Sequence, residues 1–580
     1  MPSSRGRKPK SCDSCRKKKI QCDRVVPKCD YCKHHGLTCS YEKAIRARDS
    51  TPRSAGTSPQ NTDLLVSGLG EAGWSNSQSP PTQGLDRIFH RSYLEGLQLL
   101  SGLPFFSELG QQWLAQTVTE STIISRITER FLQDPLPTPQ SSSRRNITNL
   151  PPYSAIENFA TRLCSSAEYL VFPVLSLSRL LNKTLPLAYS DGQFGVSSAR
   201  ACLLAMLVAG DVHGQDFIAD GARSVETYVT EIEASIPEIL REATLDGFEA
   251  LTLLIIYKYF IGDLHSASFL IAMASRMIFK LGAHISAPPN DPYNKDNPAH
   301  HIRDIFWVCY CMDKDLCHRI GQPPAINDAH CDLTLPPNYA EMQNSNILSI
   351  GHAILYKPST VPLYPWDIRL SIIKSRIHED LYSMSAARQP EAEILRRIRY
   401  LDEDLEVWRL TLPSDHRPTL SFLEKTPLDA NTNTQAILLR LSYHHCVILI
   451  HKARCRIFGS VSNLVGDGHE ANFQLLVDAS KSILTYLEKA LPVVAHECFW
   501  IIIFYPMTAI FTVFSIALLN TQTSSLPTNL SLLQDFTRVI QQIPIRRLTA
   551  AEVSHLAFIQ ELVEEMSRLM VAAAQKAGVQ

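Results

Sequence analysis

From Pro152 onward apolar positions recur three and four apart along nearly all of the chain, the spacing that gathers them on one face of an α-helix. Alternating Val/Thr/Ile runs closed by Asn-Gly or Asp-Gly turns, the mark of hairpins, are nearly absent. The pattern predicts a large all-α body. Its best-bounded helix runs from Pro298 to Ile320: Asn297 suits the N-cap, Pro298 the first helical position and Gly321 the stop, and Pro323-Pro324 bar continuation. Ile302, Ile305, Phe306, Cys309, Met312, Leu316 and Ile320 are expected on its single buried face. Further on, residues 498–520 hold 23 positions without a charge, long enough to span a bilayer. Pro506 in the interior and the lack of flanking positive clusters favour a core helix. A last amphipathic helix, over 551–574, closes the pattern.

Upstream of Pro152 the pattern is broken twice. Between Asp49 and Gly84, 25 of 36 residues are Ser, Thr, Pro, Gly, Asn or Gln, too few apolar groups to offset the entropy of ordering, so this stretch reads as a disordered linker. Helical spacing returns over 85–132, and a second polar break covers 133–152. The chain thus divides into a head at 1–48, the linker at 49–84, the helical segment, the break, and all-α regions at 153–340 and 341–580. No sustained heptad follows the head, so a homodimer would have no evident coiled coil.

Charge sharpens the division. The chain's net charge is −1, yet residues 1–48 carry fourteen Lys and Arg against four Asp and Glu, a net of +10. The other 532 residues are therefore mildly acidic, at −11. Solvation alone would not gather cations at one end; a basic head on an acidic body suits a nucleic-acid-binding module. The first ten residues are basic and polar, without the apolar stretch of a secretory signal. Arg5, Arg7, Lys8 and Lys10 add a nuclear import patch.

Within the head, Cys12, Cys15, Cys22, Cys29, Cys32 and Cys39 form the unit C-x2-C-x6-C written twice. Two tetrahedral zinc ions need eight thiolate positions, so six sulfurs suffice only if two of them bridge both metals. Three disulfides in a secreted domain would be the alternative, and nothing else in the chain suggests secretion. Arg16, Lys17, Lys18 and Lys19 follow the first C-x2-C directly, and Arg24 and Lys28 lie between the halves. Such a basic projection suits phosphates and guanine edges.

These residues, with Cys22-Asp23, Pro27 and Lys28, resemble the fungal binuclear zinc-cluster transcription factors. The resemblance implies that Cys12 and Cys29 are the bridging ligands. It also implies that Lys18 and Lys19 reach a CGG-type triplet in the major groove of double-stranded DNA, while Arg16 and Lys17 hold phosphate. Arg303, Phe306, Trp307, Tyr310, Asp313, Gly321, Pro323 and Pro324 resemble that family's middle homology region, with Lys314 and Gln322 where arginines are usual. The expected class is a small zinc-stabilised cluster domain, a disordered linker and a large all-α regulatory domain.

Other constellations carry less. Cys309 and Cys311 lie about 200° apart on a helix and cannot grip one ion; with Cys317 they read as buried thiols, and His318 as exposed. His444, His445 and His451 read as surface or satisfied core histidines, Cys202 and His265 as core, and Met273, Met277 and Phe279 as packing rather than a ligand pocket. His378 begins a zincin-like phrase without the second histidine, and there is no G-x-S-x-G, P-loop or G-x-G-x-x-G. The expectation is a nuclear, sequence-specific RNA polymerase II regulator that recruits transcription machinery and controls a metabolic gene set. A membrane-tethered regulator anchored near 498–520, and a catalytic body with a DNA-localising head, stand as alternatives.

Overall fold

Long helices with defined ends dominate the chain. The computed structural model describes residues 22, 29 and 32–33, and then 150–164, 172–212, 224–286, 297–348, 366–414, 416–423, 428, 434–457, 467–493, 499–519, 526–541 and 550–579. The predicted tether at 49–84 and the helical segment at 85–132 lie outside them. Two compact units divide at Asn76 and Ser77. Among the described residues there are fourteen α-helices of ten residues or more and no strand. In order they are α1 (Tyr153–Leu163), α2 (Val196–Val212), α3 (Val225–Glu242), α4 (Leu245–Phe260), α5 (Leu264–Leu281), α6 (Pro298–Ile320) and α7 (Tyr339–Leu348). They continue with α8 (Ile368–Ile377), α9 (Glu391–Leu410), α10 (Thr434–Ile457), α11 (Asp467–Ala490), α12 (Phe499–Leu519), α13 (Leu526–Gln541) and α14 (Ala550–Val579).

Local chemistry sets the boundaries. Thr244 caps α4 by accepting the Gly247 N–H at 3.2 Å, and Asp263 caps α5 by accepting that of Ser266 at 3.1 Å. Between them Gly262 has φ +83°, and a Cβ there would lie 2.5 Å from the Trp500 ring, so the turn is pressed onto α12. On α6 the Asn297 side chain accepts the Ala299 N–H at 3.0 Å. Gly321, at φ +67°, ends it by donating its N–H to the Cys317 carbonyl at 2.9 Å.

The ends of α6 match their expectation, but its surface does not. Every position from Arg303 to Ile320 is buried, charged ones included. The helix is enclosed by α4, α5 and α8, and its polar side chains find partners there instead of solvent. Enclosed in the same way, α12 packs against α4, α10, α11, α13 and α14. Its apolar window Phe499–Leu518 is long enough to cross a membrane and is wholly buried by the rest of the body. Thr508, Thr512 and Ser515 return their hydroxyls to carbonyls four residues back, at 3.0, 2.8 and 2.6 Å, which makes them tolerable in apolar surroundings. One large apolar core runs from Ile156 to Ala573. A smaller one between α8, α9 and α10 includes Ile377, Ile398, Leu401, Leu405, Trp408 and Leu449.

Candidate functional site

Of the six head cysteines, Cys22, Cys29 and Cys32 are described, and all three are buried. The Lys33 N–H donates to the Cys29 carbonyl at 2.9 Å, closing one helical turn across the second C-x2-C. Residues three apart on such a turn share a face, which puts Cys29 and Cys32 side by side. Enclosed soft donors paired on one turn fit Zn²⁺, which when bound would hold the fold of this small segment together. Cys12, Cys15 and Cys39, with Arg16, Lys17, Lys18, Lys19, Arg24 and Lys28, lie outside the described residues.

In the helical body the chemistry converges on α6. Asp315 takes a hydrogen bond from the Tyr259 hydroxyl on α4 and pairs with Arg319 at 2.5 Å and with Lys374 of α8 at 2.7 Å. Burial works against its charge, but the two cations outweigh it and hold the carboxyl far below its ordinary range. The same partnership keeps Arg319 and Lys374 protonated against burial. Arg319 also donates to the Ile501 carbonyl at 3.1 Å, and its guanidinium lies 4.5 Å from the Phe504 ring centre. One carboxylate and two cations therefore fasten α4, α6, α8 and α12 together with a formal excess of one positive charge.

The motif residues act nearby. Arg303 donates to the carbonyl of Ala283 at 3.1 Å and to that of Asp332, while its guanidinium covers Phe306 and Trp307 at 4.2 and 4.6 Å. Tyr310 donates to Asp328 at 3.1 Å. Asp313 accepts the N–H groups of Ala325 and Ile326 at 2.8 and 3.0 Å, tying down the loop that Pro323-Pro324 begins. Lys314, where the motif usually has arginine, pairs with Asp313 at 3.2 Å and with Asp328 at 3.1 Å.

Several single-residue expectations change. His318 is buried rather than exposed, with Nε2 at 2.8 Å from the Lys374 carbonyl, because α6 is covered on the side where solvent was expected. Burial, then the Lys374 charge, pushes it down to about 3. His444, buried beside Arg440, is likewise pushed down to about 3, and His445, packed on Phe504 and Tyr505, falls well below the ordinary value. Both are core rather than surface histidines, and among the described residues His444 Nδ1 and His445 Nε2 have no hydrogen-bond partner. His451 is half-buried and 3.1 Å from Asp402. Cys309 and Cys311 are buried thiols pushed up to about 12, as expected of core cysteines. Met277 is core, whereas Met273 and Phe279 are half-buried.

A second buried network escaped the sequence pattern. Glu249 on α4 meets Arg179 at 2.9 Å, His301 Nε2 at 2.7 Å and the Cys202 thiol at 3.4 Å, and Arg179 also pairs with Asp246. Cys202, Asp246 and Glu249 lie close enough to hold a cation. The Arg179 guanidinium already fills that role. A cavity of about 20 Å³ between α7, α8 and α10, lined by Trp366, Lys374 and Ser442, has room for roughly one water and none for an organic effector. Arg319 on α6 had a readable signal, lying one helical turn beyond Asp315; Lys374, Arg179 and Glu249 had none, since their partners are remote in sequence.

Paired buried cysteines in a basic head, ahead of an all-helical body, are the features to set beside known proteins. Residues 10–48 match the fungal Zn(2)-Cys(6) binuclear cluster domain, and residues 175–410 match the fungal specific transcription factor domain. In both regions the chain is therefore similar to fungal zinc-cluster transcription factors. ABC-transporter-regulating transcription factors of Aspergillus fumigatus and Aspergillus oryzae are each 28% identical to it over 268 residues, 43% of this chain. The aligned stretch spans only 28% of the length of those two relatives. A fusaridione A cluster transcription factor of Fusarium heterosporum is 24% identical over 382 residues, covering 62% of this chain and 67% of the relative. No solved structure matches the chain.

Proposed function

We propose that the head binds CGG-type sites on duplex DNA through a cluster of two zinc ions and that the body governs what the bound protein does to transcription in the nucleus. The observation that carries this reading is the buried Cys29–Cys32 pair on one helical turn, within the doubled C-x2-C-x6-C unit. Cys12, Cys15, Cys22, Cys29, Cys32 and Cys39 would hold the two ions, with Cys12 and Cys29, by the family resemblance, serving both. Lys18 and Lys19 read guanine edges, while Arg16, Lys17, Arg24 and Lys28 neutralise phosphates. When bound, zinc would supply structural support and so fix the pose in which these cations meet the groove. Relatives named for regulating an ABC transporter and for a fusaridione A cluster support a metabolic or export gene set as the target. The wholly buried surface of α12 supports a core helix over a membrane tether. In a mobility shift, Lys19→Ala is expected to lose discrimination between CGG and a base-swapped site with zinc content unchanged. Unchanged discrimination in that variant would overturn the assignment of base contact to Lys19.

A further inference from the structure

We propose that the outer face of α9 is a self-association surface that joins two copies of this chain antiparallel across a twofold axis. Helix α9 has two faces. Ile394, Ile398, Leu401, Leu405 and Trp408 lie in the smaller core against α8 and α10, which holds the helix rigidly. Opposite them, Ala392, Arg396, Arg399, Tyr400, Glu403, Val407 and Leu410 are all exposed, and their spacing puts them in one stripe along the whole helix. Solvent needs no apolar groups there, yet Tyr400, Val407 and Leu410 are 51, 59 and 50% exposed.

The loop that follows enlarges the patch. Arg409 donates to the Pro418 carbonyl at 2.9 Å, and Arg417 donates to the carbonyls of Leu410 and Leu412 at 3.0 and 3.1 Å. These bonds pin the loop to the end of α9, beside which Leu420 and Leu423 stand 73 and 56% exposed. Such a patch is on the order of the few hundred Å² that a monomer keeps for a partner.

The charges on the stripe select the partner. Arg396 is committed to Glu393, at 2.8 Å. Arg399 and Glu403 are exposed, opposite in sign and one turn apart, and neither makes an ion pair among the described residues. A twofold axis passing near Leu401 sets Arg399 of each copy against Glu403 of the other, and Ala392 against Leu410. The face is therefore complementary to itself, which a surface built for an unrelated protein has no reason to be. A contact made by one helix face and one short loop is modest, so the association should be reversible and concentration-dependent.

Sedimentation equilibrium of the full zinc-loaded chain across micromolar concentrations tests this. A monomer–dimer equilibrium is expected, weakened at least about fivefold by Val407→Glu, by Arg399→Glu and by Glu403→Arg, each placed on the exposed face where folding is spared. Circular dichroism confirms that each variant keeps its helix content. The double variant Arg399→Glu/Glu403→Arg is expected to restore association, because the swapped pair meets again across the axis. A monomeric wild-type chain, a dimer indifferent to all three single variants, or a double variant as weak as the singles would each overturn the proposal.

Discussion

Asp315 shows how a charge survives at the centre of the body. It lies between Arg319 and Lys374, with the Tyr259 hydroxyl as a further donor, so its lost hydration is replaced by three directed contacts. The formal excess of positive charge ranks two substitutions. Asp315→Asn leaves both cations buried without an anion and should cost about 3–5 kcal/mol of stability. Lys374→Met leaves a balanced Asp315–Arg319 pair and should cost less, and urea denaturation of the two variants checks the order. The buried histidines give the body a pH dependence with a definite sign. His318 and His444 are held near 3 and His445 well below its ordinary value, whereas in the unfolded chain they titrate around 6.5. Between these values the unfolded state binds more protons, so stability is full above about pH 6.5 and falls on acidification, by about 1.4 kcal/mol per pH unit for each histidine. Urea midpoints at pH 7 and pH 5 should differ accordingly, and His445→Phe should flatten the difference. The sequence marked these histidines as unremarkable because burial is decided by elements remote along the chain: His445 meets α12 and His318 meets α8.

At the scale of the element, α6 divides what was legible from what was not. Its ends follow from Asn297, Pro298 and Gly321, all local, and both fell where the pattern put them. Its burial on every side was not legible, since polar residues at Asp313, Lys314, Asp315 and Arg319 look like a solvated face until Ile326, Tyr259, Lys374 and Ile501 arrive as partners. For α12 the reverse holds: a helix apolar all round suits the centre of a helical body, and there it is wholly buried. The α4–α5 turn tests that packing. Gly262→Ala would drive a methyl into the Trp500 ring at a positive φ, and should cost about 1–3 kcal/mol, read as a lowered thermal midpoint. A neutral outcome would mean that α12 is not pressed on this turn.

Across the whole molecule, the division of labour is written in charge. The basic head carries +10 and the other 532 residues −11, so positive charge suited to DNA is gathered at one end of the sequence. The doubled cysteine unit was the most legible feature of all, because metal ligation demands fixed residue types at fixed spacing, whereas helical packing tolerates many. The relations among α4, α6, α8, α10 and α12 were the least legible, since they rest on contacts more than fifty residues apart. DNA affinity should fall steeply with salt, as expected when lysines and arginines displace counterions. The most direct measurement pairs the zinc content of the full-length chain with its mobility shift on a CGG-type duplex, before and after chelation. The account predicts two zinc ions per chain, with sequence-selective binding lost as they are removed and regained when zinc is restored. Undiminished selective binding by the metal-free chain would contradict it.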